Sequence, residues 1–234
     1  MRPIDRGEVP LVDGKLKVYK EYSRARRDLK ERIGSFCSYC ERYLPTNAAI
    51  EHVQPKSLVP EKKLDWSNFL LACTNCNSCK KDKLINTDNI DSFVWPDQDD
   101  TFHLIEYDTS TYMPKVKSGL KDEQVNKVNN TLSLVGLDKP APKIGTISYE
   151  ECSDMRVEQR GQAFDIANKY LLRFINAKND AHRTDIIDGI CDYVLASGFW
   201  SVWMAVFKNE KDVIKRLIDC IPGTNKEFLK EELA

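Results

Sequence analysis

Three things are scarce in this sequence, and each scarcity excludes something. No run of eighteen apolar residues occurs, so no membrane-spanning helix is expected. The opening MRPIDRGEVP lacks the apolar stretch of a secretory leader, which points to the cytoplasm. Charge of one sign is not in excess: 35 basic residues face 36 acidic ones, so the chain as a whole is no basic nucleic-acid binder. Histidine is also rare, with three in 234 residues, and His103 and His182 stand in no chemical context.

What is present is more telling. Hydrophobic residues make up 41% and aromatics 9%, enough for one good core, or for a core plus a small metal-held module. Eight cysteines occur, and five of them (37, 40, 73, 76 and 79) are clustered. In a reducing compartment such a cluster points to metal rather than disulfides. Cys152, Cys191 and Cys220 stand singly in helical-looking sequence and read as small core residues. Charge is uneven along the chain. Residues 15–32 are rich in Lys and Arg, Lys80, Lys81 and Lys83 form a second basic cluster, and residues 86–108 are acidic. A local basic patch attracts phosphates even when the total charge is near zero.

The patterning predicts an α+β fold that is mostly helical, with four regions. Residues 1–36 form a basic N-terminal segment, irregular to about residue 14 and helical over 15–33, with Gly34 as its stop. Residues 37–85 hold the cysteine-rich module. Residues 86–146 form an acidic extension, with a hairpin from strands 102–107 and 112–117, a polar helix over 121–136 and a linker over 138–146. Residues 147–234 have the one-face apolar spacing of helices. Within them FWSVWMAVF (199–207) is apolar all round and must lie deep in the core or at an interface.

The cysteines Cys37/Cys40 and Cys73/Cys76 form two C-x2-C pairs. Two such knuckles can set four thiolates tetrahedrally around Zn²⁺, a closed structural site. Cys76/Cys79 has the same spacing, so Cys79 competes for the fourth place; Cys73 with Cys76 is the preferred pair. Between the knuckles lies AAIEHVQPKS, which suits a short strand carrying Glu51 and His52 and leaving sharply at Pro55. Asn68 and Asn77 follow, Asn77 directly after the second knuckle, with Asn75 its nearest rival.

A carboxylate–histidine pair, a downstream Asn, and an Asn directly after a second zinc knuckle together resemble the HNH endonucleases, over about 50 residues. The resemblance implies the ββα-metal fold, a β-hairpin and helix around one divalent ion, here carried with its four-cysteine zinc site in a helical body. It implies that His52 acts as general base, that Asn68 orients the His52 ring by a hydrogen bond, and that Glu51 and Asn77 supply oxygen ligands to Mg²⁺ or Mn²⁺. Lys80, Lys81 and Lys83 would then contact flanking phosphates of DNA. Glu51 stands where the family commonly has Asp, and Asn77 where it often has His.

The opening MRPI, the basic helix, IEHVQPKS, LVGLD and the late IPGT also resemble the HNH subunit of Septu anti-phage systems (the PtuB family) and its retron-associated relatives. That resemblance implies an ABC-type ATPase (PtuA-like) as partner. The rival readings are a zinc-ribbon binding or adaptor module without catalysis, which would not need Glu51, His52 and both asparagines together, and an HNH-type RNase.

Overall fold

A computed structural model of the chain describes residues 1–46, 48–81, 83–140 and 154–233. The fold is α+β and mostly helical, with a ββα unit and its four-cysteine cluster set into a helical body.

The first region departs from expectation. Strands β1 (Leu11–Val12) and β2 (Lys15–Leu16) form a hairpin where a helix was predicted to begin. Its turn is Asp13-Gly14, both at positive φ (51° and 75°), the geometry that lets a two-residue turn follow strand twist. Helical structure starts only at a 3-10 turn, Tyr22–Ala25, which runs into α1 (Arg26–Ile33) and ends at Gly34 as predicted. The apolar residues Leu16 and Val18, which suggested an earlier start, remain largely exposed. The preceding residues are anchored as well: Met1 and Ile4 are buried, and Ile4 bridges to Thr224.

The central unit is β3 (Ala49–His52), β4 (Phe69–Ala72) and α2 (Thr74–Lys80). The two strands pair antiparallel with Glu51 opposite Leu70 and His52 opposite Phe69. Cys73 sits directly after β4 and caps α2, its sulfur accepting from the Cys76 amide at 3.4 Å. The acidic region follows. Asp100 caps the single turn α3 (Thr101–Leu104), so the first part of the predicted 102–107 strand is helical. The hairpin of β5 (Ile105–Tyr107) and β6 (Pro114–Val116) is correspondingly short. The polar helix α4 (Asp122–Leu134) gives way at Gly136, which adopts φ +65°. The predicted linker beyond residue 140, Cys152 and the predicted start of the last region at 147 lie outside the described residues.

The remaining helices are α5 (Arg156–Ile175), α6 (Asp180–Ser197), α7 (Trp200–Val206) and α8 (Lys211–Cys220). A last short helix, α9, spans Lys230–Leu233. The apolar run 199–207 is core: Trp200, Val202, Trp203, Met204 and Phe207 are all buried. Cys191 is buried, as expected of a small apolar side chain.

Two hydrophobic clusters account for most of the packing. One joins the N-terminal residues, both knuckles, β3, β4 and α4. The other joins α5 to α8. The first knuckle fastens them together. Arg42 bridges to Gly198, and a Cβ at position 198 would stand 2.1 Å from the Glu41 carbonyl oxygen. Only glycine allows that approach. The buried Glu41 carboxylate accepts from the Ser201 amide (2.8 Å) and hydroxyl (2.6 Å), and from the Arg2 amide (2.7 Å). Among the described residues no helix is long and apolar enough to cross a membrane.

Candidate metal centre and active-site cleft

Cys37, Cys40, Cys73 and Cys76 converge in the interior, with their sulfurs all within 4.8 Å of one another. A tetrahedral Zn²⁺ with Zn–S bonds of ~2.3 Å requires sulfurs about 3.8 Å apart. The Cys40 and Cys73 sulfurs stand at 3.6 Å, close to that spacing, so the four-cysteine donor set suits zinc. The surroundings suit the resulting negative charge. Arg156, reaching across from α5, donates from Nη1 to the Cys76 sulfur at 3.3 Å. Its other bonds go to the Val135 and Gly136 carbonyls and, from Nε and Nη2, to the Asp154 carboxylate at 2.8 and 2.6 Å, so backbone and an ion pair together hold it in place. Burial pushes the Cys37 and Cys76 thiols up, while hydrogen bonds from the neighbouring thiols pull Cys73 down. A divalent cation would resolve that competition by taking all four as thiolates. Cys79, the competing cysteine, is excluded from the cluster: it points to Gly136 and to Lys139, 3.9 Å from its sulfur.

The second site is an open cleft beside β3 and α2. Glu51, His52 and Asn77 line it together. Strand β3 delivers the first two, and the helix turn after the second knuckle delivers Asn77. The His52 ring is fixed on several sides. Nε2 lies 3.0 Å from the Lys63 carbonyl oxygen, and the ring packs edge-on against Tyr22 (5.0 Å) and Phe69 (5.2 Å). A carbonyl can only accept, so Nε2 carries the hydrogen and Nδ1 keeps the lone pair. Burial, with a smaller push from Lys56, Lys80 and Lys63, lowers the His52 pKa and favours the neutral ring.

Asn68 does not bond the His52 ring, contrary to expectation. Its side chain closes the loop that carries the ring. The Gln54 amide donates to Asn68 Oδ1 (2.7 Å), and Asn68 Nδ2 donates to the Gln54 (2.9 Å) and Lys62 (3.1 Å) carbonyls. The Lys62 carbonyl is next in the chain to the Lys63 carbonyl that holds the imidazole, so Asn68 acts on the ring through backbone. The reach is the reason: an Asn at the start of β4 faces the loop's main chain rather than the imidazole.

The basic trio also divides. Lys80 is fully buried, its Nζ paired ionically with Glu51 Oε1 at 2.6 Å and donating to the His52 carbonyl at 2.7 Å, so it cannot meet a phosphate. One turn of helix after Asn77 turns its side chain inward under β3, where an unpaired ammonium could not stay. Lys83 donates to the Ser133 and Leu134 carbonyls at the end of α4 and stands outside the cleft. Lys81 alone of the three lines it. Asn75, the rival to Asn77, accepts from Arg42 at 3.3 Å instead.

The structure adds three lining residues that went unassigned: Tyr22, Arg26 and Lys56. The basic run 15–32 contained the signal for Tyr22 and Arg26, and PKS after His52 that for Lys56, but sequence spacing could not fold α1 across the cleft mouth. Against Arg26, Lys56 and Lys81, Glu51 is the one carboxylate among the lining residues, and Lys80 already pairs with it.

A ββα unit with a four-cysteine cluster thus sets a histidine, a carboxylate and an amide oxygen in one cleft with exposed basic side chains. Residues 37–83 match the HNH endonuclease family model, a span that runs from the first cysteine through β3, β4 and α2. No curated protein matches the chain.

Proposed function

We propose that the chain is a metal-dependent endonuclease that hydrolyses phosphodiester bonds of DNA, with His52 as general base. The observation that carries this reading is the fixed imidazole: Lys63 holds the Nε2 hydrogen, which leaves Nδ1 basic in the same cleft as Glu51 and Asn77. A neutral imidazole suits removal of a proton from attacking water near neutral pH. Glu51 and Asn77 form the oxygen donor set that fits a hard ion such as Mg²⁺ or Mn²⁺. Such an ion, when bound, neutralises charge on the phosphate and on the leaving oxygen. Lys80 pairs with the buried Glu51 and fixes it, and Asn68 fixes the loop that presents His52. The four-cysteine zinc centre does no chemistry; it holds the end of β4 and the start of α2, and so Asn77, in place.

In its wider setting we read the chain as the cytoplasmic nuclease effector of an anti-phage defence system that works with an ABC-type ATPase. The sequence features outside the module support this reading: MRPI, LVGLD and IPGT beside IEHVQPKS.

The test is plasmid cleavage in Mg²⁺ or Mn²⁺ by the purified protein, alone and with an ATPase that co-purifies from its native cells, beside His52→Ala. Metal-dependent cutting that His52→Ala abolishes supports the nuclease. Equal behaviour of the two proteins in every condition would leave a zinc-ribbon binding module, and cutting of RNA but not of plasmid would move the substrate to RNA.

A further inference from the structure

We propose that Lys56 binds the phosphate under attack and that Tyr22 is the residue that positions it. This rests on the nuclease reading above and names a further pair of residues for the same site.

Lys56 follows His52 by four residues, just past Pro55, and both line the cleft. The backbone there is stiff: the Pro55 carbonyl accepts from the Leu58 and Val59 amides, each at 2.9 Å, and Pro55 has a fixed φ. An exposed lysine on four rotatable bonds is ordinarily free to sweep solvent. This one is held. Its Nζ donates to the Tyr22 hydroxyl at 3.0 Å and lies 4.2 Å from the centre of the Tyr22 ring. Tyr22 comes from the far wall of the cleft, ahead of α1, and its ring also packs edge-on against His52 at 5.0 Å. One ring therefore touches both the base and the cation and sets the distance between them.

The charge balance fits an anion rather than a structural ion pair. Glu51 is the one carboxylate lining the cleft, and it is bound by the buried Lys80 from beneath. Lys56 has a neutral phenol as its partner, which fixes its position without cancelling its charge. The phenol itself is lowered in pKa, chiefly by the hydrogen bond from Lys56, as expected beside a full positive charge. Arg26, one helical turn on from Tyr22, and Lys81 on the opposite side extend the positive surface along the cleft, where a backbone carries its neighbouring phosphates.

The experiment has two arms. In the first, steady-state cleavage in Mn²⁺ is compared for the parent, Lys56→Ala, Lys56→Arg and Tyr22→Phe, with thermal midpoints measured in parallel. Removing one preorganised donor to a reacting phosphate costs about 10²-fold in kcat, so Lys56→Ala should fall by that order and Lys56→Arg should recover part of it. Tyr22→Phe keeps the ring and loses the hydroxyl. It should lower kcat by about tenfold, as the cation is less well aimed, with KM and the thermal midpoint little changed. In the second arm the His52→Ala protein binds a labelled DNA duplex, and affinity is read against salt. Adding Lys56→Ala should reduce the slope of log K against log salt by about 1, the signature of one lost phosphate contact.

An unchanged slope would overturn the phosphate contact. A reduced slope with intact kcat would overturn its assignment to the phosphate under attack. A Tyr22→Phe protein as active as the parent would overturn the positioning role. No cleavage by the parent would defeat the nuclease reading instead, and the salt slope would still decide whether Lys56 meets phosphate.

Discussion

The nuclease module and the helical body are held together by different physics. In the body, α5 to α8 close over Trp200, Trp203 and Phe207, all buried, with the Trp203 and Phe207 rings stacked 6.2 Å apart. That is ordinary apolar burial, non-directional and spread over many side chains. The module has short elements, two four-residue strands and a seven-residue helix. Its interior carries four thiols, a buried glutamate paired with a buried lysine, and an asparagine threaded into a loop. Directional contacts of that kind position atoms well and tolerate loss badly. The same trait that makes the module precise makes it dependent on single residues.

Zinc removal should break this comparison most visibly. Metal binding to structural zinc sites amounts to about 10–16 kcal/mol in small peptides, far more than any side-chain contact. Chelation, or Cys73→Ser, should therefore expose amides of residues 36–81 to hydrogen exchange while α5 to α8 stay protected. Simultaneous loss of protection in both regions would show that Arg156 and Glu41 weld them into one cooperative unit.

Next in size is the reverse experiment in the body. Trp203→Ala should destabilise the protein by about 3–5 kcal/mol through lost transfer energy and a residual cavity. Cleavage measured well below the thermal midpoint should keep its kcat, because Trp203 touches nothing in the cleft. A fall in kcat at low temperature would mean that body packing sets the cleft geometry.

Lys80 sharpens the contrast within the module. Lys80→Ala removes the ammonium that pairs with the buried Glu51 carboxylate, and breaking a buried ion pair typically costs about 3 kcal/mol or more. Lys80→Met with Glu51→Gln should regain most of that stability, since an uncharged pair of similar volume fits the same space, yet it should stay inactive. Recovery of cleavage by the double variant would remove Glu51 from the metal donor set.

How much of this was legible beforehand follows from the same division. The four cysteines, Glu51, His52 and Asn77 could be read because each is fixed by local spacing: two C-x2-C pairs, and residues adjacent to a strand or a knuckle. The amphipathic helices α6 and α8 were legible from apolar periodicity. Lys80 was misread because composition does not reveal which face of a short helix turns inward. Asn68 bonds the main chain of the His52 loop instead of the expected ring, since the sequence cannot say which of the two a short amide meets. Tyr22 and Lys56 lie 34 residues apart and meet only through tertiary folding. The Asp-Gly turn at 13–14 is present in the sequence, but the apolar residues after it, Leu16 and Val18, suggest a helix that starts too early.

The smallest effect concerns His103, which sequence context left without a role. Its Nδ1 meets Asp100 and its Nε2 meets Glu232, both at 2.8 Å, so it ties α3 to the short helix α9. The hydrogen bond to Asp100 leads in raising its pKa above the ordinary histidine value, with Glu232 adding to it against partial burial. A group whose folded pKa is raised stabilises the fold fully below its unfolded value, about 6.5. That contribution is lost as pH rises through the folded value. All three side chains are partly exposed, so the contribution should be about 1 kcal/mol at most. Thermal midpoints of the parent and of His103→Gln, compared at stepped pH, should therefore differ in mildly acidic buffer and converge as the pH passes above neutrality. A gap that widens with rising pH would mean that the fold holds the imidazole neutral, with its pKa below the unfolded value.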